Sequence, residues 1–564
     1  MFFLVVIVCI SCVETRDRES LKIQFLISFW LAVKIKLAIP SVVFWSLLVL
    51  FFAITQIMYG NYFGPRETIV SIILFMLLYN WRRWIGFLYL GISCVCALMY
   101  GMVGLTYGHV DKNAIDALLY TNFDEAFEYA TSIPPSVFGW YGGLLLTFAC
   151  VVLFLKKHSQ FLVALDRKRV VVLFVLLVAF SSNTFVKNLI KGNPLNIWDL
   201  KSTEVNFVLS FYKALEDSSN GQNKYSIFNR STDWKAVADE GVATNYVLIL
   251  GESARRDFFG AYGAPWNNTP WLSSEPGLLF ENYISASAGT VPSLSRQLYL
   301  NSDTENFNPA YNIVTLAKSA GFQTTWISSQ GERGGADSPI SIVAKMSDKY
   351  NFVADDLNPL TKVLKKTDED LLEPFRESLA LPGKKLIVLH LIGSHPQACR
   401  RTNDRYTEFF KSQELSCYIE SLKNTDRLAK EVTDALKARE SKYGEKWGLL
   451  FTADHGLDFA SDQDGWCLKH MDKRQGSYEV PFFITGSEFN KRETIKFYRS
   501  GLNFLPLVAS WMHISSPYLS PQTCHWLRDE ACIDQENVYR FSGEKVRYQE
   551  LPSYSLQTFM DENP

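Results

Sequence analysis

Four short stretches of this 564-residue chain place carboxylates, imidazoles and a hydroxyl beside apolar runs. Gly251-Glu252-Ser253 closes the run YVLILG. Gly289-Thr290-Val291-Pro292-Ser293 precedes a helical pattern. Gly393-Ser394-His395-Pro396 follows LIVLHL. Thr452-Ala453-Asp454-His455-Gly456 ends LLFTA, with Lys469-His470-Met471 soon after. Each stretch has an ordinary structural explanation. A Glu after a strand complements a helix dipole, a Thr before a helix is an N-cap, and an Asp-His pair bonds locally. Their coincidence points further. Three of only eight histidines stand at these sites. Carboxylate, imidazole and hydroxyl together are a ligand set for zinc or a similar divalent ion.

Such residues need elements that bring them to one place. Five short apolar runs read as strands: 246–251, 322–328, 385–391, 448–453 and 480–485. Residues 312–320 and 412–438 carry helical patterns. Alternating strands and helices predict an α/β sheet covered on both faces. In open α/β sheets, ligands gather at the C-terminal strand ends, where the polar residues stand here.

The first third of the chain is of another kind. Hydrophobic residues make up 48% of the whole and concentrate there. Five segments read as spans: 38–59, 68–81, 84–107, 136–155 and 169–187. The second is short against the roughly 20 apolar residues a span needs. Lys34 and Lys36, then Arg82 and Arg83, then Lys156, Lys157, Arg167, Lys168 and Arg169 fall on one side if the first span runs outward. Positive residues mark the cytoplasmic side, so everything beyond about residue 190 is expected outside the cytoplasm. The expected division is a transmembrane domain over 1–190, a connector over 191–240 and an extracytoplasmic α/β domain over 241–564. Residues 1–12 are apolar but too short to span, and read either as an upstream-start artefact or as an interfacial helix. The outward loop 108–135 is amphipathic and acidic, and fits a capping helix or one resting on the outer leaflet.

Formal net charge is −2, with no basic block, which argues against a nucleic-acid binder. Five cysteines lie in apolar sequence: Cys9, Cys12, Cys94, Cys96 and Cys150. Five lie in the polar part: Cys399, Cys417, Cys467, Cys524 and Cys532. An oxidising compartment allows disulfides, and the local pairs Cys399/Cys417 and Cys524/Cys532 are the first candidates.

The combination resembles the phosphoethanolamine transferases of Gram-negative inner membranes, in the alkaline phosphatase superfamily. The resemblance covers nearly the whole chain. Gly251-Glu252-Ser253-Ala254-Arg255 matches the family's Gly-Glu-[Ser/Thr]-x-Arg motif, and Ala453-Asp454-His455-Gly456 its Ser/Ala-Asp-His-Gly motif. Tyr418-x-x-Ser421-x-x-x-x-Asp426 matches its Tyr-x-x-Ser-x-x-x-x-Asp helix. The resemblance implies an alkaline-phosphatase-like catalytic domain behind a five-helix transmembrane bundle. It implies zinc held by Glu252, Asp454, His455 and Thr290, with Thr290 as the nucleophile. His395 and His470 then serve phosphoryl binding or proton transfer, and Arg333 balances phosphate charge. The implied donor is phosphatidylethanolamine, and the implied location is the inner membrane with a periplasmic catalytic domain. Gly331-Glu332-Arg333-Gly334-Gly335-Ala336-Asp337 departs from the Gly-Cys-Lys-Gly-x-Cys-Asp segment of lipid A-modifying members. Both cysteines are absent, which turns the expected acceptor toward lipopolysaccharide core or periplasmic glucan.

Two other readings stand beside this one. A phosphoglycerol transferase of the same superfamily would carry the same ligands. A catalytically silent envelope-assembly protein would not need them. Thr290-Val291-Pro292-Ser293 also has the outline of a sulfatase Cys-x-Pro-Ser motif, but threonine cannot yield the formylglycine aldehyde that sulfatases use.

Overall fold

A computed structural model describes residues 42–61, 64–107, 115, 135–157, 166–181, 202–213, 215, 232–239, 243–300, 308, 310–331, 339–353, 367–462, 465–519, 524–532, 536–541 and 543–563. The chain divides into two compact units, Met1–Val110 with Pro135–Leu209, and Asp111–Pro134 with Ser210–Pro564. Residues 1–41, Arg333 and nearly all of the loop 108–135 lie outside the described residues.

The first unit contains the helices α1 (Val42–Met58), α2 (Pro65–Trp81), α3 (Arg83–Tyr107), α4 (Pro135–Lys157) and α5 (Arg167–Ser181). Two stretches, Arg83–Leu105 and Ser136–Lys157, are long and apolar enough to cross a membrane. The other three helices fall short of the roughly 20 residues a span requires. The unit also buries a carboxylate. Glu204 accepts from Gln56 Nε2 at 3.2 Å, Ser71 Oγ at 2.9 Å and Ser202 Oγ at 3.3 Å, which meets the hydrogen-bonding demand of a buried polar group.

The second unit is built on an eight-stranded sheet. Its strands are β1 (Asn245–Gly251), β2 (Gly277–Phe280), β3 (Gln323–Ser328), β4 (Lys349–Phe352), β5 (Lys385–His390), β6 (Trp447–Ala453), β7 (Phe482–Gly486) and β8 (Arg492–Ile495). They lie in the order β8-β2-β7-β6-β1-β5-β3-β4. Only β7 runs against the rest. Strands β1, β5 and β6 are buried at every position, as expected where helices cover both faces of a parallel sheet. All five predicted strands are present within two residues of their expected ends.

Register is what assembles the site. Gly251 pairs with Ala453, and Leu250 with His390, which also pairs with Ser328. Four strands therefore end at one level, and the residues after each enter the same space. The helix predicted over 412–438 is α8 (Gln413–Tyr443). Ser412 caps its start, and Gly444, at φ 70°, ends it five residues later than expected. Nothing before Gly444 in ALKARESKY opposes a helix.

Glu445, just past that glycine, ties the helix to the sheet. It accepts from Arg439 Nε and Nη2, both at 2.7 Å, and from Asn245 Nδ2 at 3.1 Å. The Arg439 fork brings its carboxyl down to about 2, against the opposing pull of burial. A depressed carboxylate stabilises the fold above its unfolded pKa of about 4.3 and loses that contribution as pH falls toward 2. Partial exposure screens the pair, so Glu445→Gln is expected to cost about 1–2 kcal/mol at pH 7. The difference from wild type should shrink below about pH 4 and vanish only below about pH 2 in denaturant titrations, and a pH-independent difference would contradict the assignment.

Among the described residues the disulfides are Cys399–Cys417 and Cys524–Cys532, the two pairs expected, and Cys467 is buried outside them, its Sγ donating to the Ala460 carbonyl at 3.7 Å.

Candidate active site

The loop leaving β1 carries the first ligand candidate. Glu252 is buried, and Ser253 beside it holds φ 55°, a left-handed conformation uncommon outside glycine. Three contacts hold it there. The Ser253 N–H donates to Asp454 Oδ1 at 2.9 Å. The Ser253 carbonyl accepts from Tyr418 Oη at 2.7 Å, and Tyr418 Oη in turn accepts the Arg255 N–H at 2.8 Å. The Tyr-x-x-Ser-x-x-x-x-Asp helix thus acts as a brace. Ser421 bonds Ser394 Oγ, and Asp426 accepts from the N–H groups of Trp271 and Leu272.

Arg255 is a second brace. It is fully buried, forks onto Asp257 at 2.7 and 2.9 Å, and lies 4.6 Å over the Phe459 ring. Gly393, at φ 47°, packs so tightly that a Cβ would stand 2.9 Å from the Glu252 backbone. This is a close approach that only glycine permits.

Thr290 begins helix α6 (Thr290–Gln297), with Gly289 at its N-cap. Its Oγ1 lies 3.1 Å from Glu252 Oε2 and 3.3 Å from His455 Nε2. His455 Nδ1 is 2.7 Å from the Gly456 carbonyl. A carbonyl only accepts, so Nδ1 carries the proton and the Nε2 lone pair is left for the cluster. His455 Nε2 is 3.5 Å from Glu252 Oε1 and 3.4 Å from Asp454 Oδ2. Asp454 uses Oδ1 to accept the N–H groups of Ser253 and His455. Its Oδ2 is buried with no hydrogen-bond partner.

The electrostatics call for positive charge at His455 Nε2, from a proton or from a metal ion in its place. Burial alone would lower His455, but Asp454 and Glu252 overcome it and raise the imidazole to about 9. Asp454 is pushed up by burial and then by Glu252, while His455 and His395 hold Glu252 down despite its burial. Two carboxylates this close do not both carry charge unless a cation joins them. The ligand atoms of Glu252, Asp454 and His455 lie within 4.8 Å of one another, as do those of Glu252, His395 and His470. The orphaned Asp454 oxygen, the aligned His455 lone pair and the Thr290 hydroxyl together fit a divalent metal ion. His470 is held well below the usual range by burial and by its imidazole neighbours, with ring centroids 5.0 Å from His455 and 5.4 Å from His395.

Six of the seven predicted site residues therefore meet, and Arg333 lies outside the described residues. The chain matches the sulfatase family model over residues 244–514. It is 34% identical over 438 residues to phosphoethanolamine transferase OpgE of Escherichia coli K12, covering 76% of this chain and 80% of that protein. The chain belongs to the phosphoethanolamine transferase family. The transferase is also 25% identical over 275 residues to phosphoethanolamine transferase EptC of E. coli K12, covering 43% and 45% of the two chains. In fold it is similar to the integral membrane protein lipooligosaccharide phosphoethanolamine transferase A of Neisseria meningitidis. That match has a TM-score of 0.52 and 16% identity, and covers 83% of this chain and 96% of that one. The C-terminal unit of the transferase thus has the alkaline-phosphatase-like α/β fold.

Two supporting residues carried no signal in the sequence. Asp368 accepts the N–H groups of Ile392 and Gly393, both at 2.9 Å, and the Ser329 hydroxyl, fixing the loop that leads to His395. Gln330 Nε2 donates to Glu252 Oε2 at 3.0 Å and to the Leu391 carbonyl at 2.8 Å. It holds the oxygen that also faces Thr290. Gln330→Leu removes that donor and is expected to weaken zinc binding about 10-fold. Chelator competition measures this, and an unchanged Kd would reduce Gln330 to a packing residue.

Proposed function

We propose that the transferase moves phosphoethanolamine from phosphatidylethanolamine to a hydroxyl of a lipopolysaccharide core or a periplasmic glucan, through a phospho-threonine at Thr290. The reading is carried by the Thr290 hydroxyl, 3.1 Å from Glu252 and 3.3 Å from His455, beside an unpaired Asp454 oxygen.

Glu252, Asp454, His455 and Thr290 would hold one divalent ion, and zinc suits this donor set. When bound, such an ion supplies Lewis acidity that lowers the effective pKa of the threonine hydroxyl. The Thr290 hydroxyl proton passes to the His395 and His470 pair, and Thr290 Oγ1 bonds to phosphorus as the bond from phosphorus to the glycerol oxygen breaks. Diacylglycerol leaves with a proton delivered by His395 or His470. In the second half the acceptor oxygen bonds to phosphorus, the Thr290 bond breaks, and the acceptor proton passes through the same imidazole pair to the Thr290 oxygen. The helix start at Thr290 favours the phosphoryl anion.

The proposed setting is the inner membrane. Residues 1–190 form the membrane domain with five spans, 191–240 the connector and 241–564 the periplasmic catalytic domain. The basic clusters between apolar segments support this orientation, as do two disulfides that need an oxidising compartment.

The test is mass spectrometry of envelope lipids and glycans from cells with and without the gene. The expected difference is one saccharide species that loses phosphoethanolamine when the gene is absent. Loss of phosphoglycerol instead would favour the other headgroup. No difference in any saccharide would remove the proposed acceptor class.

A further inference from the structure

The segment that leaves His395 makes an exposed aromatic shelf. Past Pro396 the chain forms the short helix α7 (Ala398–Thr402) and then a loop to Ser412. On that loop Phe409 is 68% exposed, the highest value for a large apolar side chain among the described residues of this unit, and Tyr406 is 39% exposed. Their ring centroids are 6.4 Å apart at 54°. Leaving such rings in water forfeits the stabilisation their burial would give.

The shelf is built rather than loose. The disulfide Cys399–Cys417 staples its root to α8. Thr407 N–H donates to Glu420 Oε2 at 2.9 Å, and Phe410 N–H to Ser416 Oγ at 2.8 Å. The Phe410 ring packs edge-on against Trp266, with centroids 5.0 Å apart. Asn403, Asp404 and Lys411 all hold positive φ between 53° and 60°, a backbone cost accepted at three positions in nine residues. The root also touches the site, since Arg401 Nε donates to the His395 carbonyl at 3.4 Å.

We infer that Tyr406 and Phe409 form the platform on which a sugar ring of the acceptor rests. This deepens the proposed function and depends on it for the identity of the reaction. The transferred group needs a hydroxyl brought to the histidine pair, and a saccharide offers both that hydroxyl and an apolar C–H face that stacks on aromatic rings. Arg400, Arg401, Arg405 and Lys411 on the same segment complement phosphate or carboxylate substituents on the glycan. An anionic lipid surface fits less well, because Glu408, exposed and between Tyr406 and Phe409 in the chain, brings a negative charge to the same short loop. A carboxylate there accepts from sugar hydroxyls.

The experiment uses the full chain in detergent micelles. Formation of the enzyme adduct from phosphatidylethanolamine is measured apart from its discharge to core oligosaccharide or to a β-glucan oligosaccharide. Direct binding of each saccharide is followed by saturation-transfer NMR. The Tyr406→Ala/Phe409→Ala double variant is expected to raise KM for the saccharide, and weaken its direct binding, by about 10-fold or more. The loss should fall on the saccharide step, and Phe409→Trp should keep wild-type KM. Unchanged saccharide KM and binding in the double variant would overturn the inference. So would adduct formation that fails from bilayers and recovers in micelles, which would make the rings a membrane anchor. A wild-type chain that binds saccharide through these rings yet forms no adduct would sink the proposed reaction while leaving the platform standing.

Discussion

Thr290→Ala is expected to abolish phosphoethanolamine transfer, by about 10³-fold or more, while the fold survives. Four hydroxyls compete for the nucleophile's role, and the structure separates them. Ser285 Oγ donates to the Ser287 carbonyl, Ser287 Oγ to the Tyr539 carbonyl and Ser293 Oγ to the Asp454 carbonyl. All three serines are fully buried, and each is committed to holding backbone. Thr290 is the partly exposed member, and its Oγ1 faces the carboxylate-imidazole cluster. The purely structural alternative, that it caps α6, fails on position. Gly289 is the N-cap, and Thr290 is the first residue inside the helix. A helix-start role would leave activity largely intact in the alanine variant and cost well under 1 kcal/mol, since alanine is favoured in helices. Thr290→Ser should keep a hydroxyl at the same place and part of the activity. Digestion after incubation with a phosphatidylethanolamine analogue should yield phosphoethanolamine on the peptide containing Thr290. An active alanine variant, or an adduct on Ser293, would show that another hydroxyl does the work.

The two halves of this site differed in how legible they were. Fully buried parallel strands announce themselves as unbroken apolar runs, and the polar residues that close them are conspicuous for breaking the pattern. Glu252, His395, Asp454 and His455 were legible for that reason. What the sequence could not supply is register. The meeting of Gly251 with Ala453, and of His390 with both Leu250 and Ser328, depends on pairings across some sixty to two hundred residues. No local pattern specifies such pairings. Gln330 and Asp368 went unread for a related cause. Neither has an unusual neighbour in sequence, and each acquires its role from a loop contributed by a different strand. The reversal of β7 was equally silent, since an apolar run has the same composition in either direction. The apolar helices of the first unit were the reverse case. Their apolar character is plain in the sequence, but α2 is confined between Arg66-Glu67 and Arg82-Arg83 to fewer residues than a span needs, and α1 and α5 are described over only 17 and 15 residues.

Asp454→Asn should cost the protein its metal without costing it its fold. The side chain makes two separable contributions. Its Oδ1 accepts two backbone N–H groups, from Ser253 at 2.9 Å and His455 at 2.7 Å, and so shapes the loops on which Glu252 and His455 stand. An asparagine oxygen can accept both. Its Oδ2 has no hydrogen-bond partner and lies 3.4 Å from His455 Nε2. Asparagine puts an N–H₂ group at that point, which cannot ligate a cation and directs positive hydrogens at it. The metal-free variant should be as stable as the metal-free wild type, or more so, because asparagine is neutral folded or unfolded and removes the cost of holding a buried carboxyl beside Glu252. The difference should emerge when zinc is added. A cation present at 100 times its Kd stabilises the folded state by about 2.7 kcal/mol, and the variant should lose most of that gain together with transferase activity. Thermal unfolding with and without zinc, alongside elemental analysis of the purified chain, reads both effects. Destabilisation already present in the metal-free variant would make Asp454 a structural residue. Full zinc content at wild-type affinity would remove it from the ligands and leave Glu252, His455 and Thr290 to hold the ion.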